Sequence, residues 1–315
     1  MVISDGEDQT LAFLRLPFIR ALKFAFPLAT IDWLVAAGAS AFDRELWPLV
    51  ENLVESVEVA PQLAKGLSRW LKPPWQGKKY ELSFNFMGGG VNDWLAKMIP
   101  AELRITVPET LPNQHPSQQL LELVGRLCGK PSQPNLRIPL KREVSIASGH
   151  ILRYGYNYIA LAPGGESHSP DTEWPLDFYV EIALTQFSNN RIPSFLLLDE
   201  TPDRFNRLSA AVPTALFPMQ HPAAAGWGYD LMIALLQQCW VGLAEDSLYG
   251  HLMGAANIPM LSLFSDERAM THAPWAERGM VLLASDFAES QSSRHPLSLI
   301  PPVNVLHSLE ALIAI

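Results

Sequence analysis

The stretch Trp240-Val241-Gly242-Leu243-Ala244-Glu245-Asp246-Ser247-Leu248-Tyr249-Gly250-His251, running on through Leu252 to Pro259 and Met260-Leu261-Ser262-Leu263-Phe264, decides the reading of this chain. An apolar run, a short acidic turn, a small-residue segment and a second apolar run predict strand, turn, short helix and strand. The first N–H groups of a helix have no partner within it, and its dipole places positive charge there. Phosphate groups settle at such ends. In an open α/β sheet, ligands lie in the crevice at the carboxyl ends of the strands. The turn Glu245-Asp246-Ser247 therefore predicts a site for a phosphate-bearing ligand.

With 315 residues, the chain is long enough for two domains of ordinary size, each with its own core. It is 48% hydrophobic and 17% charged, the balance of a globular protein rather than a disordered one. No apolar run reaches the roughly 20 residues that span a bilayer. The opening Met1-Val2-Ile3-Ser4-Asp5-Gly6-Glu7-Asp8 is acidic and lacks the basic flank of a signal peptide. Cys128 and Cys239 stand far apart without metal-ligand spacing, so two buried thiols and a cytoplasmic location are expected.

Charge is uneven. Residues 1–150 carry 16 Lys+Arg and 15 Asp+Glu, whereas 151–315 carry 7 Arg, no Lys and 17 Asp+Glu. The overall net charge of −9 argues against a nucleic-acid partner. It also means that an anionic ligand on the second half must be held largely by N–H groups and a few arginines.

Outward from the opening stretch, strands and helices alternate as in a parallel α/β sheet. In the first half, Leu14, Phe18, Leu22 and Phe26 recur at helical spacing over Leu11 to Phe26. Strands are expected over Ile31 to Val35, Val54 to Val59 and Tyr80 to Met87, and helices over Asp43 to Asn52 and Gln118 to Cys128. Met1-Val2-Ile3 reads as too short to cross a sheet. Pro131 to Ser148 is polar and weakly periodic, a linker closing a first domain of residues 1–150. The second, 151–315, opens with the strand Tyr158 to Ala162 and the turn Pro163-Gly164-Gly165-Glu166-Ser167. Further helices are expected over Pro175 to Asn189, Pro202 to Ala211, Tyr229 to Gln238 and Pro302 to Ala314, with a strand over Ser194 to Leu198.

Several segments allow two readings. Gly88-Gly89-Gly90 after a strand lets a ligand approach the backbone, or is simply a turn. Glu200 and Asp203 suit a ribose hydroxyl, or an acidic helix start. His251 reads as a phosphate donor or as a histidine packed on the inner helix face, and Asp246 as a helix cap. Lys65 to Lys79 holds five cations, two tryptophans and no acid. That mix suits a membrane interface or an anionic head group, the alternative being a solvated loop.

Taken in order, the motifs resemble the heptosyltransferase family, GT-B enzymes that move heptose from ADP-heptose onto lipopolysaccharide core. The residues concerned are Leu16 to Lys23, Phe26-Pro27, Ile31 to Val35, Ala162-Pro163-Gly164-Gly165, Trp174-Pro175, and Asp246-Ser247 with His251, Ala255-Ala256 and Ile258-Pro259. The resemblance implies two Rossmann-like domains facing a central cleft. It implies nucleotide binding by Gly164, Gly165, Ser167, Thr172, Asp246, Ser247, Leu248, Tyr249, Gly250 and His251, to which the reading of Glu200 as a ribose partner adds a further nucleotide-binding candidate. Lys65, Arg69 and Lys72 would face a saccharide or lipopolysaccharide-type acceptor at the cytoplasmic face of the inner membrane. No metal and no cofactor beyond the ADP-sugar co-substrate are implied.

The chain departs from the family pattern at three places. Thr10-Leu11 stands where the family has a Gly-Asp pair whose Asp is the base, leaving Asp8 or Asp5 for that role. Thr172 replaces a phosphate-contacting cation. Leu248 replaces a glycine, at a cost of about 1–2 kcal/mol if the position requires positive φ. Two functions follow as expectations: a glycosyltransferase, or a GT-B homologue that has lost turnover and binds nucleotide or glycan as a scaffold. A different α/β enzyme using Ser or His chemistry is set aside, since no Gly-x-Ser-x-Gly elbow occurs.

Overall fold

The computed structural model describes residues 1–60, 73, 75–87, 91–108, 114–132, 137–164, 173–197, 202–266, 268–288 and 296–314, with the backbone alone for 91–94 and 202. The chain divides into two compact units, Met1–Pro134 and Asn135–Ile315. The division falls inside the 131–148 stretch read as a linker. Each unit is built on one five-stranded parallel sheet.

The first unit runs β1 (Val2–Ser4), α1 (Gln9–Ala25), β2 (Asp32–Val35), α2 (Trp47–Val50), β3 (Ser56–Val59), β4 (Tyr80–Asn85), α3 (Val91–Met98), β5 (Ala101–Thr106) and α4 (Pro116–Cys128). Its strand order is β3-β2-β1-β4-β5. β1 is thus the central strand, paired on both sides, although the sequence made it look too short. Three residues suffice because Val2 and Ile3 are almost wholly buried and every ladder position has a neighbour. Helix α1 covers one face, where Phe18 meets Phe84 and Phe86 edge-on at centroid distances of 5.2 and 5.4 Å. Helix α4 has Pro116 in its first turn and Gly129 left-handed just past its end, the favoured start and stop residues.

The second unit runs α5 (Arg142–Ile151), β6 (Tyr158–Ala162), α6 (Leu176–Ser188), β7 (Ile192–Phe195), α7 (Pro202–Ala211), α8 (Tyr229–Leu236), β8 (Cys239–Glu245), α9 (Leu248–Ala256), β9 (Met260–Phe264), α10 (Ala269–His272), β10 (Gly279–Leu283) and α11 (Pro302–Ala314). The order is β10-β9-β8-β6-β7. The central strands are apolar throughout because a parallel sheet is covered on both faces. Ile159, Leu161, Val241, Leu243, Leu261 and Leu263 share one core with Tyr179 and Ile182 of α6 and Val305 and Leu309 of α11.

Three expectations change. The Asp43 to Asn52 helix shrinks to a 3₁₀ turn at Ala41–Asp43 and the four residues of α2. The supposed linker runs into α5, whose buried side is only Val144 and Ser148. Edge strands β5 and β10 went unread in the sequence: β5 is largely exposed and carries charged residues, whereas β10 is a short apolar run, Met280 to Leu283, left only half-buried at the sheet edge. Among the described residues, no helix is long and apolar enough to cross a membrane.

At the carboxyl end of β1, Arg15 organises the turn into α1. Its guanidinium donates to the Ser4 hydroxyl at 2.8 Å, to Glu7 Oε1 at 2.8 Å and to Asp5 at 3.2 Å. It also stacks 4.7 Å from the Phe86 ring centroid. Glu7 Oε1 further accepts the Trp33 indole N–H at 3.0 Å and the Ser4 hydroxyl. The Glu7 side chain is fully buried and that of Arg15 is 8% exposed. Removing one partner of a buried ion pair strands the other charge, at a cost of about 3–5 kcal/mol. Arg15→Ala is expected to lose that much stability in urea unfolding, and the double variant Glu7→Gln/Arg15→Met less. Equal losses in both variants would show that the pair is not the source.

Candidate functional site

In the second sheet, β7 lies on one side of β6 and β8 on the other. The crevice between the carboxyl ends of β6 and β8 is the topological switch point, the place where such sheets take ligands. Two segments converge there. One is Pro163-Gly164 after β6. The other is Glu245-Asp246-Ser247 after β8, which opens α9.

A buried carboxylate ties them together. Glu245, 1% exposed, accepts the Gly164 N–H on Oε1 at 3.0 Å. The Tyr179 hydroxyl donates to the same oxygen at 3.1 Å, with the Ala162 carbonyl 3.2 Å away. Burial pushes the Glu245 carboxyl up to about 7, against the hydrogen bonds from Gly164, Trp174 and Tyr179. Gly164 has φ +114, a left-handed conformation. A Cβ there would stand 2.2 Å from an Arg204 guanidinium nitrogen. That guanidinium donates to the Pro163 carbonyl at 3.0 Å and to both Glu173 oxygens at 3.0 Å. Arg204 was not singled out in the sequence; only its contact across Gly164 marks it. Across α9, Arg268 pairs with Asp246 at 2.7 Å and with Asp266 at 3.2 Å. Both arginines therefore reach this edge already paired with carboxylates.

Helix α9 opens with Ser247 as its N-cap residue, which makes no side-chain cap. The Ser247 hydroxyl instead donates back to the Glu245 carbonyl at 3.3 Å. Leu248 is the first helical residue, and among the described non-glycine residues only Asn190 and Asn257 have positive φ. The leucine consequently carries no left-handed strain. Tyr249 and His251 are buried, at 7% and 3% exposed. Gly250 serves packing: a Cβ there would meet Pro274 at 2.9 Å. Asp203 is exposed in the first turn of α7. Gly165, Ser167, Thr172 and Glu200, the glycines 88–90, and Lys65, Arg69 and Lys72 lie outside the described residues.

Trp174-Pro175 proves to be an anchor. The Trp174 indole N–H donates to the Ile300 carbonyl at 3.0 Å, and its ring meets Tyr179 edge-on at 4.9 Å. This holds the start of α6 against the segment before α11.

On the first unit, Asp5 and Asp8 flank the carboxyl end of β1. Asp8 is exposed and caps α1, its Oδ1 accepting the Leu11 N–H at 2.8 Å. Asp5 is half-exposed beside Arg15. Gly6 lies between them at φ +111, with the Ala37 and Ala39 carbonyl oxygens 2.9 Å from where a Cβ would stand.

The chain matches no protein-family model and no curated protein by sequence. Its fold does match solved structures. One is the glycosyl transferase family 9 protein from Veillonella parvula DSM 2008, 15% identical, covering 99% of this chain and 96% of that one with a TM-score of 0.70. Another is E. coli ADP-heptose lps heptosyltransferase II, 16% identical, covering 99% and 98% with a TM-score of 0.66. A third is E. coli heptosyltransferase WaaC with ADP, 13% identical, covering 99% and 99% with a TM-score of 0.65. At these identities the likeness is one of fold. The α/β GT-B class and the resemblance drawn from the motifs are borne out at that level.

The raised Glu245 carboxyl sets a pH dependence. Between about 4.5 and about 7 the folded chain keeps a proton that the unfolded chain has lost, so stability falls as pH rises through that window. The full loss is about 3 kcal/mol above pH 7. Glu245→Gln keeps the accepting oxygen and removes the charge. Its urea midpoint is expected to match the parent near pH 4.5 and to exceed it at pH 8. An unchanged pH slope would locate the effect elsewhere.

Proposed function

We propose that this chain is a glycosyltransferase that uses a nucleoside diphosphate sugar, an ADP-linked heptose-like sugar being favoured. The acceptor is a saccharide or lipopolysaccharide-type glycolipid met at the cytoplasmic face of the inner membrane. The observation that carries the proposal is the convergence of Gly164 and the start of α9, whose N-cap residue Ser247 makes no side-chain cap, at the switch point of a sheet, in a fold matched over 99% of the chain by heptosyltransferases. The diphosphate would lie against the N–H groups opening α9, with Arg268 swinging from Asp246 and Asp266 as its counter-charge. Asp8 would take the proton from the acceptor hydroxyl as that oxygen attacks the anomeric carbon.

A second reading has a specific observation in its favour. Arg204 and Arg268 are both paired with carboxylates, leaving little free positive charge at this edge among the described residues to stabilise a departing diphosphate. A scaffold that binds nucleotide or glycan without turnover would show this arrangement.

Calorimetry with ADP tests the shared premise. ADP is expected to bind, and Gly164→Ala, strained at φ +114 and displacing Arg204, to bind at least tenfold more weakly. No heat at millimolar ADP would remove nucleotide binding from both readings. Release of ADP from ADP-heptose in the presence of lipopolysaccharide core then separates them. A loss of about 10²- to 10⁴-fold in Asp8→Asn supports transfer with Asp8 as base. ADP binding without any turnover supports the scaffold.

A further inference from the structure

The first unit contains a cavity that the glycosyl-transfer reading does not use. It has a volume of about 730 Å³ and lies at the amino ends of the strands, bordered by Val2 of β1, Ile31 and Asp32 at β2 and Tyr80 of β4. The carboxyl edge, where Asp5 and Asp8 stand, is at the other end of the same strands. The volume is within the range of small-molecule sites.

Its walls are apolar over most of their extent, from Leu22 and Phe26 at the end of α1 and from Leu82 and Phe84 of β4. The Phe26-to-Thr30 loop that forms one side also presents Leu28, 99% exposed, so apolar surface lies outside the cavity as well as within it. One corner is polar. There Asp32 Oδ2 accepts the Lys78 ammonium at 2.7 Å and the Tyr80 hydroxyl at 2.8 Å, while Oδ1 accepts the Ser56 hydroxyl at 2.9 Å. Burial raises the Asp32 carboxyl, but these three donors outweigh it and hold the group below its ordinary value. Burial, with the bond to Asp32, raises the Tyr80 phenol. The corner is thus a fixed set of donors around one carboxylate. Lys78 spends one N–H on Asp32 and is 49% exposed, which leaves donors for a ligand oxygen.

Charge selects the head group. Asp32 is already paired with Lys78, and the other charged side chains bordering the cavity, Glu55, Lys79 and Glu81, are exposed to solvent. A ligand with a full charge of either sign meets no unpaired buried counter-charge among the described residues of this cavity, yet loses its hydration. A neutral oxygen loses far less and gains the Lys78 donor. We propose that this cavity binds an uncharged amphiphile, an aliphatic chain ending in a hydroxyl, with the chain against Phe26 and Phe84 and the oxygen at Lys78.

The test is isothermal calorimetry of the full chain with 1-hexanol, 1-octanol and 1-decanol, and with octanoate and octylammonium as charged counterparts. Affinity is expected to rise about fourfold per added methylene, as for complete burial of each CH₂ group. Octanol is expected to bind at least tenfold more tightly than either charged compound. Phe26→Ser, which shortens a half-buried wall residue, is expected to weaken octanol binding at least tenfold. Hydrogen exchange with octanol is expected to protect residues 26–32 and 78–84 and to leave those around Glu245 unchanged. No heat with any alcohol overturns the proposal. So does affinity independent of chain length, equal or tighter binding of a charged compound, or unchanged affinity in Phe26→Ser. The cavity is separate from the carboxyl edge that the ADP titration probes, so either result stands whatever the other shows.

Discussion

Two parallel sheets, each buried on both faces, must end somewhere, and at their carboxyl edges this chain places a buried glutamate. In the second unit Glu245 binds the strand ends β6 and β8 together through the Gly164 N–H. In the first, Glu7 follows β1 and is held by Arg15, Ser4 and Trp33. A carboxylate removed from water needs several donors, and each glutamate draws them from different elements of its unit. The geometry of the edge follows: the left-handed turns at Gly6 and Gly164, the entry of α1 and the entry of α9 all form around these two side chains.

The two glutamates are compensated differently. Glu7 has a guanidinium against it, with an aromatic ring behind the cation. Glu245 has only neutral donors on its accepting oxygen, and its carboxyl is pushed towards 7. The edge that the glycosyl-transfer reading gives to the nucleotide therefore has a central acid that burial helps to keep protonated. A neutral acid beneath a diphosphate is electrostatically the better neighbour, and this fits the acidic second half to an anionic ligand better than its net charge suggests.

Much of the fold was legible because central parallel strands are uninterrupted apolar runs. Tyr158 to Ala162 was read with the same limits the structure gives, and the closing helix Pro302 to Ala314 likewise. What escaped was one-sided or very short. Strands β5 and β10 sit at sheet edges: β5 shows water along most of its length and carries no apolar run, and the run in β10, Met280 to Leu283, is too short to announce a strand by itself. Helix α5 buries two residues and reads as polar linker. β1 has only three residues, and its centrality depends on two partners far along the chain. The site was legible to the extent that a turn announces a helix start. The partners of Gly164 were not, because Glu245, Tyr179 and Arg204 reach it from separate elements, and no local spacing records a contact across 81 residues.

Helix α9 is held closely on both sides. Gly242 of β8 leaves room for Met253, and Gly250 and Gly254 let Pro274 and the Trp275 carbonyl approach to within 2.9 and 2.8 Å of where side chains would begin. A rod seated in such a slot can neither slide nor roll without collision. Whatever arrives at its leading end meets a rigid wall, and adaptation to ligands of different shape falls to Arg268, the half-exposed arm beside it.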